Sequence, residues 1–191
     1  MRDLAIRQQR QTTVVLRWLV SFLGFPLGGF LADLLFGPVD GPLPAVLGGL
    51  ITGAVLGAAQ AWALGRNRPS PVAWIVATAL GLAVGLSIGA AAVGYESTLT
   101  ALAIQGVISG AAVGAAQAVL LWPRLGRLAL LWPVALAASW ALGWMITTSI
   151  GVLVNEQFTV FGSSGAIVVT ALTAVLPLAL NRAAAAQASR A

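Results

Sequence analysis

Residues 48–64 read GGLITGAVLGAAQAWAL, and residues 105–121 read QGVISGAAVGAAQAVLL. Aligned without a gap they agree at 10 of 17 positions, including GAxxGAAQA at 53–61 and 110–118. Each copy is apolar, spaces its glycines by four residues and carries a glutamine toward its end. Four-residue spacing keeps residues on one face of a helix. An apolar run of this kind approaches the roughly 20 residues that a helix needs to cross a hydrocarbon core. The stretch reads as one membrane-crossing helix written twice.

Composition extends that reading to the whole chain. Of the 191 residues 59% are hydrophobic and 8% charged, with a mean hydropathy of +0.95. A soluble domain carries about 25% charged residues, so this chain lacks the polar residues to cover a wetted surface. The expected class is an all-α membrane protein. There is no Cys, His or Lys. That excludes thiolate and imidazole metal sites, disulfides, Ser–His and Cys–His nucleophile pairs and Schiff-base lysines. No cofactor and no metal are expected. The sequence pI of about 11.6 does not point to nucleic acid, because the arginines are dispersed rather than clustered on one face.

Apolar runs and breakers predict six transmembrane helices, at about 14–36, 44–64, 71–93, 99–121, 129–153 and 162–180. The breakers between them are FGPVDGP, GRNRPSP, VGYEST, WPRLGR and NEQFTVFGSSG. Connections this short make sequential helices antiparallel neighbours and leave one integral membrane domain over 1–191, with tails at 1–13 and 181–191. The first apolar run exceeds the h-region of about 7–15 residues in a signal peptide, so it is read as a span.

Charge orients the spans. Arg2, Arg7, Arg10 and Arg17 precede the first, Arg66 and Arg68 follow the second, Arg124 and Arg127 the fourth, Arg182 and Arg190 the sixth. All ten arginines thus fall on one side, while Asp33, Asp40, Glu96 and Glu156 fall at or beyond the opposite ends. The positive-inside rule makes the arginine side, and both termini, cytoplasmic. Trp18, Trp62, Trp74, Trp122 and Trp132 occupy the predicted inner ends, where amphipathic rings prefer the headgroup level. The basic loops are expected to touch anionic headgroups.

The repeat reaches beyond the opening stretch. PVAWIVATALGLAVGLSIG at 71–89 aligns with PVALAASWALGWMITTSIG at 133–151, sharing PVA, ALG and SIG at an offset of 62. Gly24 and Gly28 map onto Gly81 and Gly85 at an offset of 57, and Ala166, Thr170 and Ala174 take the places of Gly49, Gly53 and Gly57, with Pro177 for Gln60. The economical reading is three parallel copies of a two-helix hairpin, at about 14–64, 71–121 and 129–180. Units with an even number of spans are related by an axis along the membrane normal.

GAxxGAAQA followed by a Pro/Trp and an ALGxxxG helix resembles a set of bacterial multi-pass membrane proteins without an assigned activity, whose copies read roughly GxxxGxxQWxxLRR…W…LGWALG. The resemblance covers residues 48–151 and departs at Pro177 and at the missing arginine pair after Gln60. It implies architecture and a bacterial inner (cytoplasmic) membrane, and no mechanism. Mitochondrial carriers also triplicate a helix pair, but their Pro signature with spaced acidic and basic residues is absent.

At about 100° per residue, Gly49, Gly53 and Gly57 share one helix face with Gln60, as do Gly106, Gly110 and Gly114 with Gln117. Gly81, Gly85 and Gly89 form a third stripe. Loss of Cβ atoms along a stripe lets another backbone approach, which supplies packing that hydrophobicity cannot supply in lipid. The glycine zippers are therefore assigned to helix packing within one chain, with self-association through a lipid-facing stripe as the alternative. Gln60 and Gln117 form the candidate polar site. Either they hydrogen-bond as glue between repeats, meeting across the repeat axis, or they line a cavity open to the cytoplasm. Asp33 is the single carboxylate inside a predicted span, one turn from its outer end. Thr147, Thr148 and Ser149 interrupt the fifth span, and Pro26 and Pro177 are expected kinks.

Two functional readings follow. One is a non-catalytic membrane scaffold or accessory subunit, whose partners are the lipid bilayer and a second membrane protein or a second copy of the chain. The other is a facilitative transporter or channel for a small neutral solute, with Gln60 and Gln117 lining the path. Catalysis would rest on Asp, Glu or Tyr95, none of which pairs at a readable spacing. The glycines lie in helix interiors rather than in phosphate-binding loops. An enzyme is not expected.

Overall fold

A computed structural model describes residues 2–65, 69–152 and 163–189. Among these residues the chain is all-helical, with helices α1 (Arg2–Val20), α2 (Gly24–Phe36), α3 (Pro42–Leu64), α4 (Pro71–Ala92), α5 (Leu99–Leu125), α6 (Leu131–Ser149), α7 (Ser163–Thr173) and α8 (Val175–Ala188). Five stretches are long and apolar enough to cross a membrane: Gln11–Phe36, Pro42–Leu64, Pro71–Ala92, Leu99–Ser149 and Ser163–Gln187.

The fourth stretch holds two of the expected spans, because the predicted WPRLGR breaker is itself helical. Pro123 lies in the last turn of α5, and a 3-10 turn over Gly126–Leu130 runs directly into α6. The chain reverses there without a loop. Gly126, at φ +53°, ends α5 in a conformation that suits a residue without a Cβ. α1 begins at Arg2 and α8 ends at Ala188, so both predicted tails continue the adjoining helices.

The two expected kinks lie on the N-terminal side of their prolines, where the missing N–H frees a carbonyl one turn back. A 3-10 turn at Ser21–Leu23 separates α1 from α2 ahead of Pro26, and Ala174 separates α7 from α8 ahead of Pro177. Asn155 and Glu156 lie outside the described residues, as do Arg66, Arg68 and Arg190.

From α2 to α7 each helix packs antiparallel against the next, and glycines set how closely. A Cβ built on Gly24 would lie 2.9 Å from Leu56 Cα, and one on Gly28 the same distance from Thr52 Cα, joining α2 to α3. From α3, Cβ atoms built on Gly49, Gly53 and Gly57 would lie 2.7, 2.6 and 2.9 Å from the Cα atoms of Ala83, Ala79 and Ile75 on α4. From α4, those built on Gly81 and Gly85 would lie 2.8 and 2.7 Å from the Cα atoms of Val113 and Ser109 on α5, and one on Gly89 3.2 Å from Gln105. From α5, Gly106 faces Trp144, Ala141 and Trp140, Gly110 faces Leu136 and Ala137, and Gly114 faces Pro133 on α6. Separations under 3.0 Å leave no room for a side-chain carbon, so these helices touch backbone to backbone. A Cβ built on Gly165 of α7 would lie 2.6 Å from the Gly143 carbonyl oxygen of α6.

One continuous core runs from Trp18 to Leu180. At its centre Phe25 and Trp140 meet edge to face, with ring centroids 5.5 Å apart, an arrangement favoured by the ring quadrupoles. Around this core the usual sense of burial is inverted. Val72, Val76, Leu80, Val84 and Ile88 form an outward stripe at four-residue spacing along α4, each about half exposed or more. Thr52, Thr78, Ser109, Thr147, Thr170, Thr173 and Gln117 are buried. A surface of contiguous large aliphatics around a partly polar interior suits lipid rather than water.

Candidate functional site, a buried glutamine and tryptophan network

Gln60 lies one turn from the end of α3, and Gln117 two turns from the end of α5. Both chain directions bring these residues to the arginine-bearing end of the bundle. There they meet: Gln117 Nε2 donates to Gln60 Oε1 at 3.1 Å. The same amide nitrogen donates to Thr78 Oγ1 on α4 at 2.9 Å. Two indoles complete the network. Trp74 Nε1 donates to Gln60 Oε1 at 3.1 Å, and Trp132 Nε1 donates to Gln117 Oε1 at 2.7 Å.

The directions of these bonds are mutually consistent. An indole N–H can only donate, so the amide atoms facing Trp74 and Trp132 must be oxygens. With its oxygen turned to Trp132, Gln117 presents both amide hydrogens to Gln60 and Thr78. The Thr78 hydroxyl passes its own hydrogen to the Trp74 carbonyl at 2.8 Å and so is free to accept. Gln60 Oε1 uses two lone pairs and Gln117 Nε2 uses two hydrogens. Gln117 is fully buried and Gln60 is 6% exposed, so water does not compete for these bonds. Neutral amides held this way can glue helices together. They present no nucleophile, acid or base.

A third indole lies in the same layer. Trp18 Nε1 donates to Thr173 Oγ1 at 3.1 Å, linking α1 to the end of α7. Trp74 leans on the helix before it, Trp132 leans on the helix before it, and Trp18 leans on the last long helical stretch. The three indoles thus tie α4 to α3, α6 to α5 and α1 to α7.

Trp18, Trp74 and Trp132 are 0%, 0% and 6% exposed, which corrects their expected place in an interfacial belt. The sequence does not state the direction in which they point, which the facing helices decide. Among the five tryptophans at the arginine-bearing end, Trp62 and Trp122 are about half exposed.

The same bonds correct a register. Trp74 and Trp132 are 58 positions apart, and the glycine contacts agree: Gly49 meets Ala83 and Gly106 meets Ala141, while Gly53 meets Ala79 and Gly110 meets Ala137. The offset of 62 from PVA, ALG and SIG is one helical turn too long. Gly24 and Gly28 face Leu56 and Thr52, and 57 residues on Gly81 and Gly85 face Val113 and Ser109.

The remaining polar candidates are not brought to this network. Asp33 is half-buried near the end of α2, and its carbonyl accepts from Gly37 N at 2.8 Å. Thr147 Oγ1 accepts from Gly165 N at 3.1 Å and pairs with Ser164 Oγ at 3.2 Å, so it caps the start of α7. Among the described residues, three buried hydroxyl oxygens, on Thr52, Ser109 and Thr148, have no hydrogen-bond partner. Thr52 and Ser109 are 57 residues apart, eight positions before Gln60 and Gln117 respectively. Searches against protein-family models, curated proteins and solved structures match this chain to none of them.

Proposed function

We propose that this chain is a non-catalytic integral membrane scaffold or accessory subunit of the bacterial inner membrane, built from three parallel hairpins and crossing the bilayer six times. The carrying observation is the buried Gln60–Gln117 network, in which Gln60 Oε1 accepts from Trp74 and Gln117 while Gln117 accepts from Trp132 and donates to Gln60 and Thr78. Supporting it, the glycines at 49, 53, 57, 81, 85, 106, 110 and 114 all pack against helices of the same chain. A protein whose interior is occupied by its own packing offers its outer surfaces for work. The six crossings follow from reading Leu99–Ser149 as two antiparallel passes, since Gly106, Gly110 and Gly114 of α5 lie against α6 in reverse order. Both termini then lie in the cytoplasm by the arginine distribution.

Extraction of the full chain from its native membrane in a mild detergent tests the scaffold reading. The expected result is a stoichiometric membrane-protein partner that stays through purification. A chain that purifies alone, as a monomer, would count against it.

A second reading, facilitated passage of a small neutral solute, draws on the unpaired hydroxyls of Thr52 and Ser109. Buried polar groups that lack partners are uncommon and are the kind of group that a passing solute would engage. Proteoliposome flux that falls when Gln60 is changed to Leu would favour it over the scaffold.

A further inference from the structure

We propose that Arg17 and Trp62 form a binding site for the phosphodiester headgroup of an anionic glycerophospholipid. Arg17 stands in the last turn of α1, and its guanidinium carbon lies 5.7 Å from the centroid of the Trp62 ring on α3. The neighbouring Trp18 turns inward and is fully buried, whereas Trp62 is 54% exposed. The cation is therefore seated on the outer wall of the bundle, beside the polar layer that carries Gln60.

A cation–π contact with the ring does not consume the N–H donors of the guanidinium. Those donors match two oxygens of a phosphate. Among the described residues no carboxylate pairs with Arg17: Asp33 lies in the last turn of α2, Asp40 between α2 and α3, and Glu96 between α4 and α5, at the other end of these helices. An anionic headgroup would supply the counter-charge that no described carboxylate provides to this exposed cation.

The surface beside the pair indicates a lipid rather than free phosphate. Leu16, Val20, Leu23 and Leu27 are exposed at 56%, 47%, 43% and 58%. They continue from the level of Arg17 along the first span, where an acyl chain attached to the bound headgroup would lie. The site requires only that the chain sits in a membrane, so it stands or falls separately from the scaffold reading.

The test uses the purified full-length chain in a neutral detergent, with phosphatidylglycerol, phosphatidylcholine or soluble glycerol phosphate added at equal concentration. A ligand that binds the native state raises the unfolding temperature. The expected result is an upward shift with phosphatidylglycerol alone, reduced to less than half in Arg17→Gln and unaffected in Arg182→Gln, which removes an exposed arginine from the same end. An equal shift with phosphatidylcholine, an equal shift with glycerol phosphate, or an equal loss in Arg182→Gln would each overturn the proposal.

Trp62→Leu supplies an independent arm. Native mass spectrometry should find less phosphatidylglycerol retained on this variant than on the wild type, and unchanged retention would overturn the site even if Arg17→Gln failed to fold. An acidic protein that binds the purified chain through Arg17 in the absence of any phosphatidylglycerol response would also overturn it.

Discussion

At the scale of single residues, the two glutamines differ more than their matched sequences suggest. Gln117 makes three side-chain hydrogen bonds, to Trp132, Gln60 and Thr78, while the Gln60 oxygen accepts two. Interhelical hydrogen bonds in a membrane contribute about 0.6 kcal/mol each on average, and a buried donor left without a partner adds about 1–3 kcal/mol to the cost of losing one. Gln117→Leu should therefore lower stability by about 2 kcal/mol or more, and Gln60→Leu by less. The double variant should fall short of the sum, because the two residues share a bond. Thermal unfolding of the detergent-solubilised protein measures all three. If both single variants melt with the wild type, the glutamines are not glue.

The unpaired hydroxyls make the opposite prediction. Replacing a buried polar group that has no partner by an apolar one of similar shape removes a desolvation cost without removing a bond. Thr52→Val and Ser109→Ala should be neutral or stabilising in the same assay. A clear loss of stability in either would mean that its hydroxyl serves a ligand or a water.

At the scale of elements, the glycine contacts convert into a sharp contrast between neighbours. A Cβ on Gly49 would meet Ala83 Cα at 2.7 Å, whereas one on Gly48 would meet only Ala32 Cβ, at 3.7 Å. Adding a methyl group at 49 has to push α3 and α4 apart. At 48 it fills ordinary contact space and gains the helix propensity of Ala over Gly, about 1 kcal/mol. Gly49→Ala should lower the unfolding temperature and Gly48→Ala should hold or raise it. Equal effects would show that backbone contact does not limit this pair.

The elements also show where reading by pattern stops. The offset of 62 between the third and fifth predicted helices relied on PVA at 71–73 and 133–135, yet Val72 and Val134 are both exposed, at 69% and 68%. Identity at lipid-facing positions does not record what the buried face touches. A slip of one turn changes the facing of a residue by only about 40°, so the small and large residues repeat almost as well in either register. The indole bonds of Trp74 and Trp132 separate the two.

At the scale of the whole molecule, the orientation is open to a direct test that the composition simplifies. With no native cysteine, single substitutions label without background. Ser189→Cys lies at the arginine-bearing end and Ser97→Cys lies between α4 and α5 at the other. A membrane-impermeant thiol reagent applied to intact cells should label Ser97→Cys and leave Ser189→Cys unlabelled until the cells are opened. The reverse pattern would place both termini outside.

What the sequence by itself determined is how apolar the chain is, where long helices fall and which end carries the arginines. These properties depend on composition and local periodicity, which need no knowledge of neighbours. The glycine stripes at Gly53 and Gly110 were legible for the same reason. Only the tertiary structure decided what each stripe touches, that Gln60 and Gln117 meet, and that Trp18 turns inward while Trp62, in the same layer, turns out. Depth along a helix can be counted in residues. Direction around it is set by the partner helix, and in this bundle that partner is chosen by backbone contacts wherever a glycine leaves room for them.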